Sequence, residues 1–112
     1  MAMSPISSTI MILNEFRKLD PELPTQMALV LMLIAQKPGI AFKELVQQTG
    51  LGKSSVSRHV AALSEQYGKG LVTFWEDPMD RRGKCAKLTT KGQSFVADVT
   101  RHFRRVKVEQ AA

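Results

Sequence analysis

Small, polar and basic side chains share one face of a predicted helix over residues 53–66, and these residues are the best suited to bind a ligand. Val56, Val60 and Leu63 recur at the spacing of a buried helical stripe. The outer face and its flanks then carry Lys53, Ser54, Ser55, Ser57, Arg58, Ala61 and Ala62. Small side chains let a backbone approach base edges, and Arg58 can donate two hydrogen bonds to the O6 and N7 of a guanine. The pattern predicts a helix that reads the major groove of duplex DNA.

A second basic group follows in a segment with turn composition, residues 77–83. Its cations, with those of the strand after it, are Arg81, Arg82, Lys84 and Lys87. An arginine on a thin loop suits a narrow minor groove. We expect phosphate contacts to dominate affinity and to make it fall steeply with salt, the contacting residues being Lys53, Arg81, Lys84, Lys87 and Lys91.

The net charge of +6 lies entirely in the second half of the chain. Residues 1–50 hold four basic and four acidic side chains, whereas residues 51–112 hold twelve basic and six acidic ones. A clustered positive charge indicates an anionic partner. The charge distribution therefore predicts that a polyanion docks on residues 51–112.

Other classes of protein fit the composition less well. The single cysteine, Cys85, excludes an internal disulfide, and the spacing of the two histidines is unlike that of a zinc site. The longest apolar run, residues 27–35, is too short to span a membrane, and no export signal is evident. We expect a cytoplasmic protein without metal, cofactor or membrane association. No catalytic pair, nucleophile constellation or glycine-rich phosphate loop points to an enzyme.

Periodicity places these residues in a single domain, 1–112. We predict helices over 6–19, 25–37, 42–49, 53–66 and 90–110, and strands over 71–76 and 84–88. Thr25 and Thr89 are expected helix caps, and Gly50 a helix stop. A short helix, a turn and a second helix with a small polar face form a helix-turn-helix. The fold class is therefore mainly α (α+β), a winged helix-turn-helix with a two-stranded wing, its DNA-binding lobe spanning residues 25–89.

Apolar stripes on the first and last helices predict a dimer, since a chain of 112 residues has little room to bury them alone. The expected interface residues are Ile6, Ile10, Leu13, Phe16, Val99, Phe103 and Val106. A twofold dimer would place two half-sites roughly 34 to 36 Å apart on an imperfect palindrome.

Several residues allow two interpretations. His59 lies nearer the buried side, which favours a packed histidine over a base contact. Cys85 could sense oxidants, but a lone strand cysteine is more often inert. Alternation makes either Phe74 or Trp75 a core residue. The last-helix cations Arg101, Arg104, Arg105 and Lys107 could equally contact phosphate or keep a dimer soluble.

Three segments together resemble the multiple-antibiotic-resistance regulator (MarR) family over roughly residues 25–97. They are Leu51-Gly52-Lys53-Ser54-Ser55-Val56-Ser57-Arg58, Asp77-Pro78-Met79-Asp80-Arg81-Arg82-Gly83-Lys84 and Leu88-Thr89-Thr90-Lys91-Gly92. The resemblance implies a homodimer with interlocked terminal helices and, in many members, a pocket for a small-molecule effector. It also implies an Asp80–Arg82 salt bridge that supports the wing, which leaves the minor groove to Arg81 or Lys84. The chain differs in its short terminal helices and in a linker, 63–70, that is about three residues longer.

The sequence thus predicts a sequence-specific, homodimeric MarR-like regulator of transcription, acting as a repressor because a dimer on a promoter blocks polymerase. Two alternatives remain: a winged-helix module that binds an acidic protein, and a viral or plasmid accessory protein of replication. Weak DNA binding without sequence preference would indicate the protein-interaction module.

Overall fold

The computed structural model describes the backbone of residues 4–80 and 82–111, and the side chains of these residues as far as Phe103. The elements in chain order are α1 (Pro5–Leu19), α2 (Thr25–Gln36), β1 (Ile40–Ala41), α3 (Phe42–Thr49), α4 (Lys53–Leu63), β2 (Val72–Glu76), β3 (Lys84–Leu88) and α5 (Thr90–Ala111). This order confirms the predicted mainly α fold with a wing between α4 and α5. None of the described helices is both long enough and apolar enough to cross a membrane.

The α2 helix lies at the centre of the core, as its nearly continuous apolar sequence predicts. Met27, Val30, Leu31 and Ile34 are buried against side chains of α3, α4 and the sheet. Thr25 is the first residue of the helix rather than its cap, because the extended residue before it is Pro24, which has no side-chain acceptor. The predicted Thr25 cap is therefore wrong.

The sheet has three antiparallel strands in the order β1-β3-β2, one more than the sequence predicts. In the additional strand, Ile40 pairs with Ala86 and Ala41 pairs with Cys85. Ile40 and Ala86 are buried in the core. The short strand thus joins the root of the wing to the segment between α2 and α3.

The helix-turn-helix consists of α3, a turn at residues 50–52, and α4. Gly50 ends α3 in the left-handed conformation, with φ of 73°, as its predicted stop position requires. The α4 helix ends at Leu63, three residues before the predicted end. Ser64 leaves the helix because the N–H of Leu71 donates to the carbonyl of Leu63 at 2.8 Å and the N–H of Glu65 donates to Val72 at 2.8 Å.

The linker between α4 and β2, residues 64–71, folds into a compact loop around a buried serine. The hydroxyl of Ser64 donates to the carbonyl of Ala61 at 2.7 Å and accepts the N–H of Tyr67 at 3.1 Å. The carbonyl of Ser64 accepts the N–H groups of Gly68 and Gly70. The longer linker therefore holds the wing at a defined position relative to α4.

The terminal helices α1 and α5 pack against each other. Phe16 and Phe95 meet edge to face with ring centroids 5.5 Å apart, and His102 Nε2 lies 3.3 Å from Glu15 Oε1. Thr89 caps α5 as predicted, because its Oγ1 accepts the N–H of Gly92 at 3.0 Å. Val99 is only 4% exposed, so it has almost no surface left for a partner subunit. The predicted place of Val99 in a dimer interface is therefore wrong, because Val99 packs within the chain.

Candidate nucleic-acid interface

The α4 helix presents the polar face that the sequence predicts. Val56, Val60 and Leu63 are buried on its inner side. Lys53, Ser54, Ser57 and Arg58 are exposed, and Ser55 is half-buried. Arg58 Nη2 donates to Ser55 Oγ at 3.3 Å, a hydrogen bond that keeps the guanidinium close to the helix. One arginine therefore stands among small hydroxyl side chains on an open surface.

The last turn of α4 is less open. Ala61 and Ala62 are half-buried, and their carbonyls accept hydrogen bonds from the loop at residues 64–71. Ala62 also packs against the core. These two alanines therefore offer less surface to a ligand than the first two turns of the helix, and their contact with DNA stays a prediction.

The wing is a tight turn between β2 and β3 that is held by aspartate side chains. Asp77 Oδ1 accepts the N–H of Met79 at 2.9 Å, and Asp80 Oδ1 accepts the N–H of Arg82 at 3.1 Å. The N–H of Asp77 also donates to the carbonyl of Gly83 at 2.9 Å. These bonds close the turn through aspartate carboxylates and backbone groups.

The salt bridge between Asp80 and Arg82 that the family resemblance implies is not formed. Among the described residues, the ion pairs within 4.0 Å do not include these two side chains. Asp80 instead binds the backbone N–H of Arg82, so the Arg82 side chain is exposed and available to a ligand. Arg81, the other predicted minor-groove residue, lies outside the described residues.

The two lysines of β3 lie on opposite faces of the sheet, as residues three apart in a strand must. Lys84 Nζ is 5.5 Å from the centroid of Phe74, and Lys87 Nζ is 5.9 Å from that of Trp75. Phe74 packs against the core while Trp75 is exposed, so the expected alternation is confirmed. Of these two lysines, Lys84 lies on the side of the wing that faces α4.

A cleft of about 460 Å³ lies between the helix-turn-helix and the wing. It brings together predicted contact residues from α4 (Lys53, Ser57) and from the wing (Arg82, Lys84). Lys43, from the first turn of α3, lines the same cleft and was missed by sequence reasoning. The signal for Lys43 was weak, because a single lysine on a helix expected to support the core resembles any solvated side chain.

His59 lies beside this surface but faces α2. Its Nε2 is 3.4 Å from Gln26 Oε1, and the side chain is half-buried. Burial lowers the pKa of His59, and the neighbouring Arg58 guanidinium lowers it further. A neutral, packed imidazole agrees with the interpretation that His59 supports the helix rather than a base contact.

Cys85 is buried in β3, and burial raises the pKa of its thiol, with the Asp77 carboxylate acting in the same direction. A raised pKa disfavours the reactive thiolate, which supports the interpretation of an inert cysteine over an oxidant sensor. Throughout the described ranges, no group of three or more His, Cys, Asp or Glu side chains is placed to hold a metal ion.

The remaining predicted residues belong to the terminal helices. Ile6, Ile10 and Leu13 are exposed along α1, and Phe103 is exposed on α5. Phe16 is half-buried by its contact with Phe95 and the core. Arg101 is exposed and pairs with Asp98, whereas the side chains of Val106, Arg104, Arg105 and Lys107 lie outside the described residues.

Several solved structures share this fold and resemble the chain at low sequence identity. Rv1404 from Mycobacterium tuberculosis is 22% identical, with 93% of this chain and 68% of that chain covered and a TM-score of 0.72. MepR from S. aureus, solved as a DNA complex, is 22% identical, with 88% and 77% covered and a TM-score of 0.69. PcaV from Streptomyces coelicolor, solved with its natural ligand, is 21% identical, with 96% and 81% covered and a TM-score of 0.61.

Two sequence comparisons were made, one with curated proteins and one with models of protein families. No curated protein is similar enough in sequence to count as a relative. The family model described as the MarR family matches residues 23–83, which includes α2, α3, α4, β2 and most of the wing turn. Because this match covers more than half of the chain and coincides with the helix-turn-helix and the wing, the protein belongs to the MarR family.

Proposed function

We propose that the protein is a sequence-specific regulator of transcription that binds double-stranded DNA as a homodimer and acts as a repressor. The observation that carries this proposal is the exposed polar and basic face of α4, which continues through a cationic cleft to the wing. Such a surface fits the shape and charge of duplex DNA. The MepR neighbour, solved as a DNA complex, supports the same ligand.

In the proposed complex, the first turns of α4 enter the major groove and the wing enters the adjacent minor groove. Arg58 reads a base, because it is the long cation in the middle of the exposed helix face. Lys53, Lys84 and the wing arginines neutralise phosphates, which gives affinity without sequence preference. Lys87 and Lys91 are likewise expected to contact phosphates rather than bases.

The apolar face of α1 supports a dimer. Ile6 is 73% exposed, Ile10 and Leu13 are more than half exposed, and Phe103 on α5 is 68% exposed. Together these side chains form an apolar surface of a kind that usually marks an interface. A twofold dimer through α1 and α5 would present two α4 helices to an imperfect palindrome. In this proposal, repression follows from occupancy of a promoter, and the site of action is the cytoplasm.

A small-molecule effector is a further part of the proposal. An apolar groove of about 370 Å³ separates α2 from α5, and it is lined by Met32, Leu33, Ala35, Gln36, Val96 and Thr100. A ligand in this groove would contact both the terminal helices and the core helix of the DNA-binding lobe. PcaV, solved with its natural ligand, supports an effector in a protein of this fold.

Selection of bound duplexes from a random pool tests the function directly. The expected result is an imperfect palindrome, bound at least about 1,000-fold more tightly than a scrambled duplex at physiological salt. Weak binding of all duplexes alike would contradict the proposal and favour a module that binds an acidic protein. Recovery of a single unrepeated half-site would contradict the dimer alone.

A further inference from the structure

The cleft between the helix-turn-helix and the wing concentrates positive charge from three separate elements. Lys43 comes from α3, Lys53 from the start of α4, and Arg82 and Lys84 from the wing. One carboxylate, that of Asp80, lies in the same cleft. Four cations around one anion leave the cleft with an excess of positive charge that the fold itself does not use.

Three acidic side chains near the cleft form no ion pair with its described cations. Glu76 is the register partner of Lys84 in β2 and β3, but no ion pair within 4.0 Å joins the two. Glu44, the neighbour of Lys43 in sequence, pairs with Lys37, with Nζ and Oε1 2.8 Å apart. Asp80 accepts the backbone N–H of Arg82 and thereby serves the turn. Among the described residues, the ion pairs within 4.0 Å include none that involves Lys43, Lys53, Arg82 or Lys84.

The position of the cleft identifies the anion, provided that the proposed function holds. If α4 occupies a major groove and the wing the adjacent minor groove, the sugar–phosphate strand that separates the two grooves must pass between α4 and the wing. The cleft lies at that place. The start of α4 also faces it, and Gly52 offers no side chain to cap the first N–H groups of the helix.

We propose that this cleft binds one backbone phosphate of the DNA strand between the two grooves, and that Lys43 of α3 is one of its ligands. Lys43 is thereby a determinant of DNA affinity, although it belongs to neither α4 nor the wing. Its contact is with phosphate, so it strengthens binding to every sequence equally.

The test measures the affinity of Lys43→Gln and of the wild-type protein for two duplexes over 50 to 200 mM salt. One is the duplex selected from the random pool and the other is a scrambled duplex. We expect about a fivefold loss of affinity at the low-salt end on both duplexes, and a slope of log K against log salt that is smaller by about 1. Lys43→Arg keeps the charge and should restore the slope. Arg17→Gln removes one positive charge from exposed α1, far along the chain from the cleft, and should leave the slope unchanged.

The outcomes separate this proposal from the proposed function. Absence of salt-dependent DNA binding by the wild-type protein would overturn both. Wild-type binding with an unchanged slope for Lys43→Gln would overturn the role of the cleft alone. Titration with inorganic phosphate in the absence of DNA distinguishes the two sources of phosphate. Saturation below about 1 mM that Lys43→Gln abolishes, together with an unchanged DNA salt slope for that variant, would assign the cleft to free phosphate and contradict a DNA ligand.

Discussion

Gly92, in the first turn of α5, packs against the backbone carbonyl of Leu71 so closely that a β-carbon on Gly92 would overlap the carbonyl oxygen. The same carbonyl accepts the N–H of Thr89 at 3.0 Å, and Thr89 in turn caps α5. The start of α5 is thereby fixed to the residue that precedes β2. This contact explains why a glycine follows the cap of the helix although glycine weakens a helix interior.

Gly92→Ala should therefore destabilise the protein in spite of the higher helix propensity of alanine. We expect the free energy of unfolding to fall by roughly 2 kcal/mol, because backbone atoms rather than a flexible side chain must move. Urea unfolding monitored by circular dichroism measures the change. Gly52→Ala is the control, since its β-carbon meets no atom within 4 Å, and it should cost less than about 1 kcal/mol. An equal loss for the two variants would contradict the role of the Leu71 contact.

Ser64→Ala tests the loop that joins α4 to the wing. Removal of the buried hydroxyl leaves the N–H of Tyr67 without its acceptor, so we expect a loss of about 1 to 2 kcal/mol in stability. Hydrogen exchange of the amides at residues 67–71 should quicken in the same variant. Ser54→Ala, at an exposed position of α4, is the matched control for stability. Unchanged exchange in Ser64→Ala would show that the hydroxyl does not hold the loop.

Arg58→Ala tests base recognition. On the selected duplex the loss should be about 1 to 3 kcal/mol, with relaxed preference at one base pair, because a bidentate contact to guanine is removed. On a scrambled duplex the loss should be smaller, since only the electrostatic attraction between the Arg58 guanidinium and the backbone phosphates is lost. Lys84→Ala provides the contrast and should weaken both duplexes alike. Equal losses on the two duplexes for Arg58→Ala would remove it from base readout.

Ile10→Glu tests the dimer. A charge on the exposed apolar face of α1 would be buried twice in a symmetric interface, so dimerisation should weaken by about 3 kcal/mol or more. Sedimentation equilibrium measures the dissociation constant. Ser7→Glu introduces the same charge beside the Ser4 cap, where a glutamate favours the helix, and should leave the association unchanged. The interface on α1 is refuted if Ile10→Glu sediments as the wild-type protein does.

Glu15→Gln tests a pH effect on the packing of α1 and α5. The hydrogen bond from Lys18 lowers the pKa of Glu15 below its ordinary value of 4.5, His102 lowers it further, and burial opposes both. A carboxyl with a lowered pKa contributes stability above pH 4.5, and that contribution is lost as the pH falls through the lowered pKa.

The difference in unfolding free energy between wild type and Glu15→Gln should therefore be present at pH 7 and should shrink below pH 4.5. Urea unfolding across this range measures it, with Glu22→Gln, at an exposed position, as the control. Because Lys18 is mostly exposed, added salt should reduce the difference at pH 7. A difference that persists unchanged at low pH would contradict a charge effect.

Periodicity predicted all five helices of the described chain because each carries an apolar stripe that packs against other elements. It failed for β1, since the two residues Ile40 and Ala41 are too few to show alternation and become a strand only by pairing with β3. It also extended α4 beyond Leu63. Residues 64–66 are compatible with a helix. The helix ends because the carbonyl of Leu63 accepts the N–H of Leu71, and the N–H of Glu65 donates to the carbonyl of Val72 in β2.

The candidate interface was predicted where it depends on one element and missed where several elements meet. The outer face of α4 follows from helical geometry alone. Lys43 joins Lys53 and Lys84 only after β1 and β3 bring α3 and the wing together, a long-range arrangement without a local pattern. The interface prediction for Val99 was wrong for a related reason. An apolar stripe does not reveal whether it packs within the same chain or against a second subunit.

The hydrogen bonds between the end of α4 and the beginning of β2 have a mechanical consequence. Backbone hydrogen bonds join Leu63 to Leu71 and Glu65 to Val72. The α4 helix and the wing therefore cannot tilt independently without breaking these bonds. In the proposed DNA complex, the distance between the two groove contacts is therefore fixed within one chain. If the proposed dimer forms, a signal that releases it from DNA must change the separation of two DNA-binding lobes whose internal geometry stays the same.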